Sequence, residues 1–316
     1  MSSILEEIFN QKHLIKMAIY TKEEAKQILE KALSFSKADT CEINLSASNE
    51  GNIRYARNTV STAGYQSNQT LVVQSSYGNK VGVATIDEFD AASLEKVVRR
   101  SEELAQLSPE NPEFMPPLGQ QEYLETKTYH ESTAKITPEY RAEVAASSIE
   151  PARAKDVTAA GFLNDSSGMS AMINSAGLFA YNRSTNVDFT VTMRTNDGTG
   201  SGWVTRDFNN VDRFDAKEAS KVAIDKALMS KEAKAIEPGK YTVILEPAAS
   251  VQLLGNMFGS FNARTADEGR SFMSKEGGGT KLGEKIVDER INIYSDPQNP
   301  LVPTSPWAGD GQAYKK

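Results

Sequence analysis

The stretch Cys41-Glu42-Ile43-Asn44-Leu45-Ser46 decides the fold class, because apolar and polar side chains alternate along it. This period of two is typical of a β-strand that buries one face. A helix is predicted just before it, where Thr21 and Glu24 form a capping box ahead of apolar residues at helical spacing. Helices beside half-buried, hairpin-connected strands predict an α+β fold.

The strand pattern continues downstream. Glu50-Gly51-Asn52 predicts a turn with a returning strand after it. Strands are also predicted at 71–74 and 81–85, joined by a short hairpin turn, and a helix is predicted to begin at Asp90. Residues 21–107 are therefore predicted to form an N-terminal domain of mostly antiparallel strands with flanking helices.

Residues 108–120 contain four prolines and are predicted to be a linker, because proline removes a backbone donor and fixes φ. A middle region, residues 121–237, follows with both helix and strand patterns. Its predicted elements are a helix from Thr137-Pro138, a strand from Val157 that turns at Asn164–Gly168, a strand at 187–193, a glycine-rich turn at Gly198–Gly202 and a helix capped by Asp215.

Residues 238–316 are predicted to begin a second, β-rich domain. Their predicted elements are a strand at Tyr241–Leu245, a helix from Pro247 and a strand at Val287–Tyr294. The sequence then passes through a proline-rich stretch and stops in a predicted loop. This ending predicts a truncated domain, with unpaired edges where further strands would lie.

The composition excludes several kinds of site. The 316 residues include one cysteine, Cys41, and two histidines, His13 and His130. One cysteine cannot make an intrachain disulfide or a multi-cysteine metal site, and two histidines leave little for a histidine-based one. A net charge of −7 argues against non-specific binding to nucleic acid, which needs a basic patch.

The N-terminal extension, residues 1–20, predicts no signal peptide, because charged residues interrupt its apolar ones. Its pattern is that of a short amphipathic helix. Met17 is an equally plausible start, so whether residues 1–16 belong to the native protein stays open. No segment approaches the roughly 20 apolar residues of a membrane span, and a cytoplasmic protein is expected.

Local motifs do not assemble a catalytic site. His130-Glu131 begins like a zinc-binding HExxH helix, but Ala134 stands where the second histidine is needed. Gly198–Gly202 precedes a strand, which favours a hairpin over a phosphate-binding loop. Gly277-Gly278-Gly279 is expected to be a loop, and Cys41 a buried core residue. Two carboxylate pairs are expected to be solvated: Asp87/Glu88 and Asp267/Glu268.

Nine short segments, taken in order, resemble the TldD/PmbA family, also called modulators of DNA gyrase. The segments are ADTCEI (38–43), IRYARN (53–58), GNKVGVA (78–84), AGF (160–162), NSAGL (174–178), GKYTVILEP (239–247), SF (271–272), KLGE (281–284) and SPWAGDG (305–311). The likeness runs from near Thr21 to the C-terminus. The resemblance implies that the chain is related to cytosolic peptidases, which cut peptides and unfolded segments.

The resemblance implies two kinds of subunit. The TldD type carries zinc on an H-E-x-x-x-H helix, with the glutamate as general base and a further ligand near the C-terminus. The PmbA type, or TldE, lacks these ligands and pairs with it. The metal helix is expected after Glu246-Pro247, where no histidine or glutamate occurs at Leu254, Gly255, Asn256, Met257, Phe258 or Gly259. The chain thus resembles a PmbA-type subunit that has no zinc of its own and is shorter than the family norm, with zinc expected in a TldD-like partner.

Three functions stay open. The first is a non-catalytic PmbA-like subunit that adds an extended peptide substrate to a sheet edge and pairs with a TldD-like subunit or a second copy. The second is a peptidase using an unrecognised, carboxylate-rich site. The third is an interaction protein that acts on DNA gyrase or a toxin–antitoxin system without peptidase activity. No nucleic-acid or membrane partner is expected.

Overall fold

Six antiparallel strands form one sheet in the residues that the structure describes. A computed structural model describes residues 19–316, and its sheet has the order β3-β2-β1-β4-β5-β6. The strands are β1 Thr40–Ala56, β2 Thr59–Tyr77, β3 Lys80–Ile86, β4 Val157–Asn174, β5 Phe179–Thr195 and β6 Ser201–Phe208. Flanking helices complete the predicted α+β fold, which is confirmed. The predicted amphipathic helix near the N-terminus and His13 lie outside the described residues.

The helices begin largely where side chains can cap their free N–H groups. They are α1 Lys22–Leu33, α2 Ala91–Leu107, α3 Glu131–Ala134, α4 Pro138–Ala154, α5 Ala216–Met229, α6 Pro247–Phe258 and α7 Ala263–Asp267. The capping box of Thr21 with Glu24 is present at α1. Asp90, Thr137 and Asp215 cap α2, α4 and α5 through their side chains, so these predicted starts are confirmed.

One face of the sheet is covered by helices and carries two hydrophobic cores. The first core packs α1 and α2 against one end of the strands, with Leu29, Val98 and Leu45 among its buried residues. The second packs α4 and α5 against the other end, with Val144 and Phe189 among its buried residues. Burying apolar area of this kind supplies most of the stabilisation of the fold.

Two predicted turns are wrong, because both segments lie inside long strands. Glu50-Gly51-Asn52 pairs with β2 on one side and with β4 on the other, and Asn164–Gly168 lies within β4. Pairing on both sides outweighs the local turn preference of glycine and asparagine. The turn after β1 is instead at Arg57 and Asn58, which both have positive φ, as a two-residue type I′ turn requires.

The chain divides into two compact units. Among the described residues, the first comprises 19–231 together with Asp296–Lys316, and the second is Glu232–Ser295. In the first unit, β1 pairs with β4, so strands from 21–107 and 121–237 lie in one sheet. The domain boundaries at 108–120 and 237 stay predictions.

The second unit contains α6 and α7. The strands predicted at Tyr241–Leu245 and Val287–Tyr294 are wrong. Within residues 19–316 neither segment pairs with another strand, and an extended segment without a neighbour has no ladder of hydrogen bonds to hold it. Among the same described residues, no helix is both long and apolar enough to cross a membrane.

Candidate functional site

The window in which the resemblance places a metal helix is helical. α6 begins at Pro247 after the N-cap Glu246, which confirms the predicted helix, and it ends at Phe258 with Gly259 as C-cap. Leu254–Gly259 are therefore its C-terminal end.

The residues of α6 do not fit a zinc ion. Zinc in proteins is held by cysteine, histidine and carboxylate side chains, and Pro247–Gly259 has none of these. Its polar side chains include Asn256, whose amide donates to the carbonyl of Gln252 at 3.2 Å. Within residues 19–316, no group of three or more histidine, cysteine, aspartate or glutamate side chains is placed to hold a metal ion.

The surface of α6 is apolar and exposed. None of its residues is buried, although Val251, Leu253 and Phe258 lie on it with exposed fractions of 66%, 58% and 49%. Ile244, a few residues before the helix, is also exposed. We call Val251, Leu253 and Phe258 the α6 surface. Val251 and Phe258 are seven residues apart and share one side of the helix, whereas Leu253 lies on another side. Exposed apolar side chains are common at interaction sites.

The glycine-rich segment Gly198–Gly202 belongs to a hairpin between β5 and β6, as predicted, with Gly198 and Gly200 in the turn and Gly202 already in β6. Gly202 is required by packing: a Cβ there would lie 2.1 Å from the carbonyl oxygen of Ala223 on α5. Asp197 holds the turn by accepting hydrogen bonds from Thr195 and Thr199. The glycines therefore let a helix lie directly on the edge strand, a role that has no connection with phosphate.

The other sequence candidates have structural surroundings. His130 was expected to be a surface residue before a helix; it lies directly before α3, but it is half-buried rather than exposed. Cys41 is buried in the first core, also as predicted, and burial raises the pKa of its thiol. Gly277-Gly278-Gly279 lies in a loop of the second unit, as expected. The two carboxylate pairs, Asp87/Glu88 and Asp267/Glu268, are exposed as expected.

A buried ion pair lies between the two cores and was not predicted. Arg141 on α4 donates to both carboxylate oxygens of Asp165 on β4, with Nε–Oδ1 2.5 Å and Nη2–Oδ2 2.8 Å. A Cβ on Gly51 would lie 1.8 Å from Nη2 of Arg141, so the guanidinium occupies the space that this glycine leaves. A charged residue within a strand, Asp165, could have indicated this pair. Because a turn was predicted at Asn164–Gly168, Asp165 was interpreted as a turn residue.

The opposite face of the sheet is polar and partly exposed. Asn52, Asn164, Asp188 and Asp207 form one row across β1, β4, β5 and β6. Burial, with repulsion from Asp207, raises the pKa of Asp188. A shallow depression of about 250 Å3 on the sheet is lined by residues of β1, β2, β4 and β5, many of them serine. Polar side chains of this kind offer hydrogen bonds and little apolar contact.

One end of that face carries a third, small hydrophobic core. Trp307, in the segment that follows the second unit, packs with Met172, Leu178 and Ala180. The hydroxyl of Tyr123 donates to the carbonyl of Gly311 at 2.7 Å. The segment Ser305–Gly311, one of the nine that carry the resemblance, therefore belongs to the first unit.

The edge of β2 is bare over much of its length. β3 pairs with β2 only from Leu71 to Tyr77, so Thr59–Thr70 is paired with β1 alone. No other described residue between 19 and 316 forms a bridge to these twelve residues. Unpaired strand edges bind further strands readily, and this edge is therefore a candidate binding surface.

Comparison with known proteins agrees with this picture. The fold defines an α+β protein built on one antiparallel sheet. Family models match the chain in order: PmbA/TldA metallopeptidase domain 1 at residues 41–105, the central domain at 131–231 and the C-terminal domain at 238–316. The chain belongs to the PmbA/TldD family. No curated protein sequence gives a significant match.

Solved structures share the fold at low sequence identity. TldE from Thermococcus kodakarensis has 16% sequence identity and a TM-score of 0.77; the match covers 92% of this chain and 66% of the TldE chain. A proposed modulator of a DNA gyrase from Thermotoga maritima has 18% sequence identity and a TM-score of 0.81; the match covers 92% of this chain and 67% of the Thermotoga chain. A further proposed gyrase modulator, from Bacteroides thetaiotaomicron, has 17% sequence identity and a TM-score of 0.78; the match covers 93% of this chain and 69% of the Bacteroides chain. The chain thus spans about two thirds of the length of these relatives.

Proposed function

We propose that the chain is a non-catalytic, PmbA-like subunit of a peptidase whose zinc is carried by a TldD-like partner. The observation that supports this most directly is α6. It stands where the family resemblance places the metal helix, yet it offers no histidine, cysteine or carboxylate from Pro247 to Gly259. A helix without these groups supplies neither zinc ligands nor the general base that activates water. The complex is expected to act in the cytoplasm.

The α6 surface supports docking to that partner. Val251, Leu253 and Phe258 lie within two turns of one helix and are all exposed. Burying such side chains against a partner removes apolar area from water, which favours association by about 25 cal/mol per Å2 of area. Three exposed apolar residues on one short helix are a natural centre for an interface.

Handling of the substrate is proposed to use the sheet. Peptides and unfolded segments present main-chain N–H and C=O groups whatever their sequence, and a bare strand edge can pair with them. The first unit has such an edge along β2. This role needs no chemistry from the subunit beyond binding and orientation.

The test is to mix the purified chain with a TldD-like subunit that carries H-E-x-x-x-H. Hydrolysis of a fluorogenic peptide is expected only in the mixture, with zinc in the partner alone. Val251→Glu and Leu253→Glu should weaken assembly because they place charge in the interface. Gln252→Glu, a charge added at an exposed polar position of the same helix, is the matched control. Stoichiometric zinc in the chain alone, with unaided cleavage, would contradict the proposal.

A second candidate function is regulation of DNA gyrase without peptidase activity. Two of the similar solved structures are described as proposed gyrase modulators, which is the observation in its favour. The net charge of −7 points to contact with the enzyme rather than with its DNA. Affinity capture that returns gyrase and no TldD-like protein would favour this candidate over the first.

A further inference from the structure

In the part of the chain that the structure describes, the bare edge of β2 lacks the usual protection of an exposed strand. Natural edge strands are commonly blocked by charged side chains, proline or a covering segment. Thr59–Thr70 contains no lysine, arginine, aspartate, glutamate or proline. Its first six residues, Thr59–Gly64, are all exposed. Twelve residues of this kind form an unpaired strand edge about 40 Å long, with main-chain groups free to pair with another strand.

The unpaired edge of β2 begins where its pairing with β3 ends. β3 runs antiparallel to β2 and ends at Ile86, opposite Leu71. The chain then turns away at Asp87, where the side chain of Gln69 donates to the carbonyl of Asp87 at 2.7 Å. Among residues 19–316, no strand therefore lies beside Thr59–Thr70 on the edge away from β1. An added strand in this position would be collinear with β3.

Charges at the two ends of the edge have opposite sign. At the hairpin end, Arg57 lies in the turn, and Arg153 donates to the carbonyl of Asn58 at 2.6 Å. At the other end, the exposed Asp87 and Glu88 follow β3. A peptide that places its amino end at Asp87 and its carboxyl end at Arg57 runs opposite to β2. Charge complementarity therefore favours the antiparallel direction, which is also the direction of β3.

We propose that Thr59–Thr70 binds an extended peptide of about twelve residues as an added antiparallel strand, with its amino end at Asp87 and Glu88 and its carboxyl end at Arg57. This inference rests on the proposed function, because a peptidase subunit meets such peptides as substrate. A second copy of the chain fits less well. Only Val60, Ala63 and Tyr65 of the twelve side chains are apolar or aromatic, whereas permanent dimer interfaces are rich in such groups.

The test uses the full chain and a labelled twelve-residue peptide with two N-terminal lysines, a threonine- and serine-rich interior and two C-terminal glutamates. Saturating peptide is expected to slow hydrogen exchange at the outward-facing amides of 59–70 at least tenfold. Methylation of alternate backbone nitrogens of the peptide should weaken binding at least tenfold, because it removes main-chain donors. Binding that survives methylation, or unchanged exchange at 59–70, overturns the proposal.

Variants test the direction of the peptide. Arg57→Asn and Asp87→Asn should each weaken binding by about twofold to fivefold, the effect of one exposed charge pair. Lys217→Asn is the matched control, on the helix that packs against β6 at the far edge of the sheet. Equal effects from all three variants overturn the charge-directed orientation. Protection of 59–70 that rises with protein concentration and needs no peptide assigns the edge to a second copy and overturns the proposal.

The outcomes separate this inference from the proposed function. A chain that binds the peptide at 59–70 but gives no active mixture with a TldD-like subunit supports the edge site and contradicts the subunit role. An active mixture without protection of 59–70 supports the subunit role and contradicts the edge site.

Discussion

Arg141 and Asp165 form a bidentate ion pair that lies buried between the two hydrophobic cores of the first unit. Their side chains are 5% and 9% exposed. The pair joins the first turn of α4 to the middle of β4, and the absent side chain of Gly51 leaves room for it. A charge at this depth is tolerated because each partner neutralises the other.

Breaking this pair is expected to destabilise the first unit strongly. Arg141→Met leaves the carboxylate of Asp165 buried without its cation, and should lower the free energy of unfolding by about 3–5 kcal/mol. Urea unfolding followed by tryptophan fluorescence measures this, because both tryptophans, Trp203 and Trp307, lie in the first unit. Adding Asp165→Asn should recover part of the loss, since no charge is then left buried.

An exposed ion pair provides the control for that experiment. Lys221 and Asp225 are 2.6 Å apart on the surface of α5. Lys221→Met should leave the free energy of unfolding essentially unchanged, because solvent screens the pair. Equal losses from Arg141→Met and Lys221→Met would contradict the assignment of a special role to the buried pair.

Gly202→Ala is expected to destabilise the contact between β6 and α5. Its new Cβ would lie 2.1 Å from the carbonyl oxygen of Ala223, so the helix must shift. Overpacking of this kind costs about 1–3 kcal/mol. Gly119→Ala is the control, because the nearest atom to its Cβ would be 3.8 Å away. Urea unfolding of both variants measures the difference, and a neutral Gly202→Ala would refute the close-approach explanation.

Asp197 is expected to make stability fall at acid pH. Hydrogen bonds from the hydroxyl of Thr195 and from the backbone and hydroxyl of Thr199 lower its pKa to about 2, from an ordinary value of 3.8. The unfolded chain therefore binds the proton first, so this contribution to stability is complete above pH 3.8 and is lost as the pH falls towards 2. An NMR titration of the carboxyl group should show a midpoint near 2, and a midpoint of 3.8 would contradict the hydrogen-bonded turn.

The sequence allowed prediction of features whose causes are local. The caps at Thr21 and Asp215 are recognisable because their partners lie two or three residues away. The turn at Gly198–Gly202 was recognisable from its glycines and the strand after it. The burial of Cys41 follows from its place on the apolar side of an alternating strand. The expected position of the metal helix came from the family resemblance, and the structure confirmed only that the segment is helical.

Features with distant causes were missed or misread. Glu50–Asn52 has the composition of a turn, yet strands on both sides hold it extended. Arg141 and Asp165 are 24 residues apart, so no local pattern connects them. The bare edge at Thr59–Thr70 depends on where β3 ends relative to β2, and register of this kind cannot be deduced from one strand alone.

Trp307 holds the segment after the second unit against the sheet. Trp307 is 8% exposed in the third core, whereas Trp203 on β6 is 45% exposed. Trp203→Phe leaves only the buried indole, so its emission should shift to shorter wavelength and resist quenching by acrylamide. Trp307→Phe leaves only the exposed indole, and the opposite changes are expected. Trp307→Ala should also cost about 3–5 kcal/mol in urea unfolding, because it empties a core position. Equal quenching in the two single-tryptophan variants would show that Ser305–Gly311 is not packed on the sheet in solution.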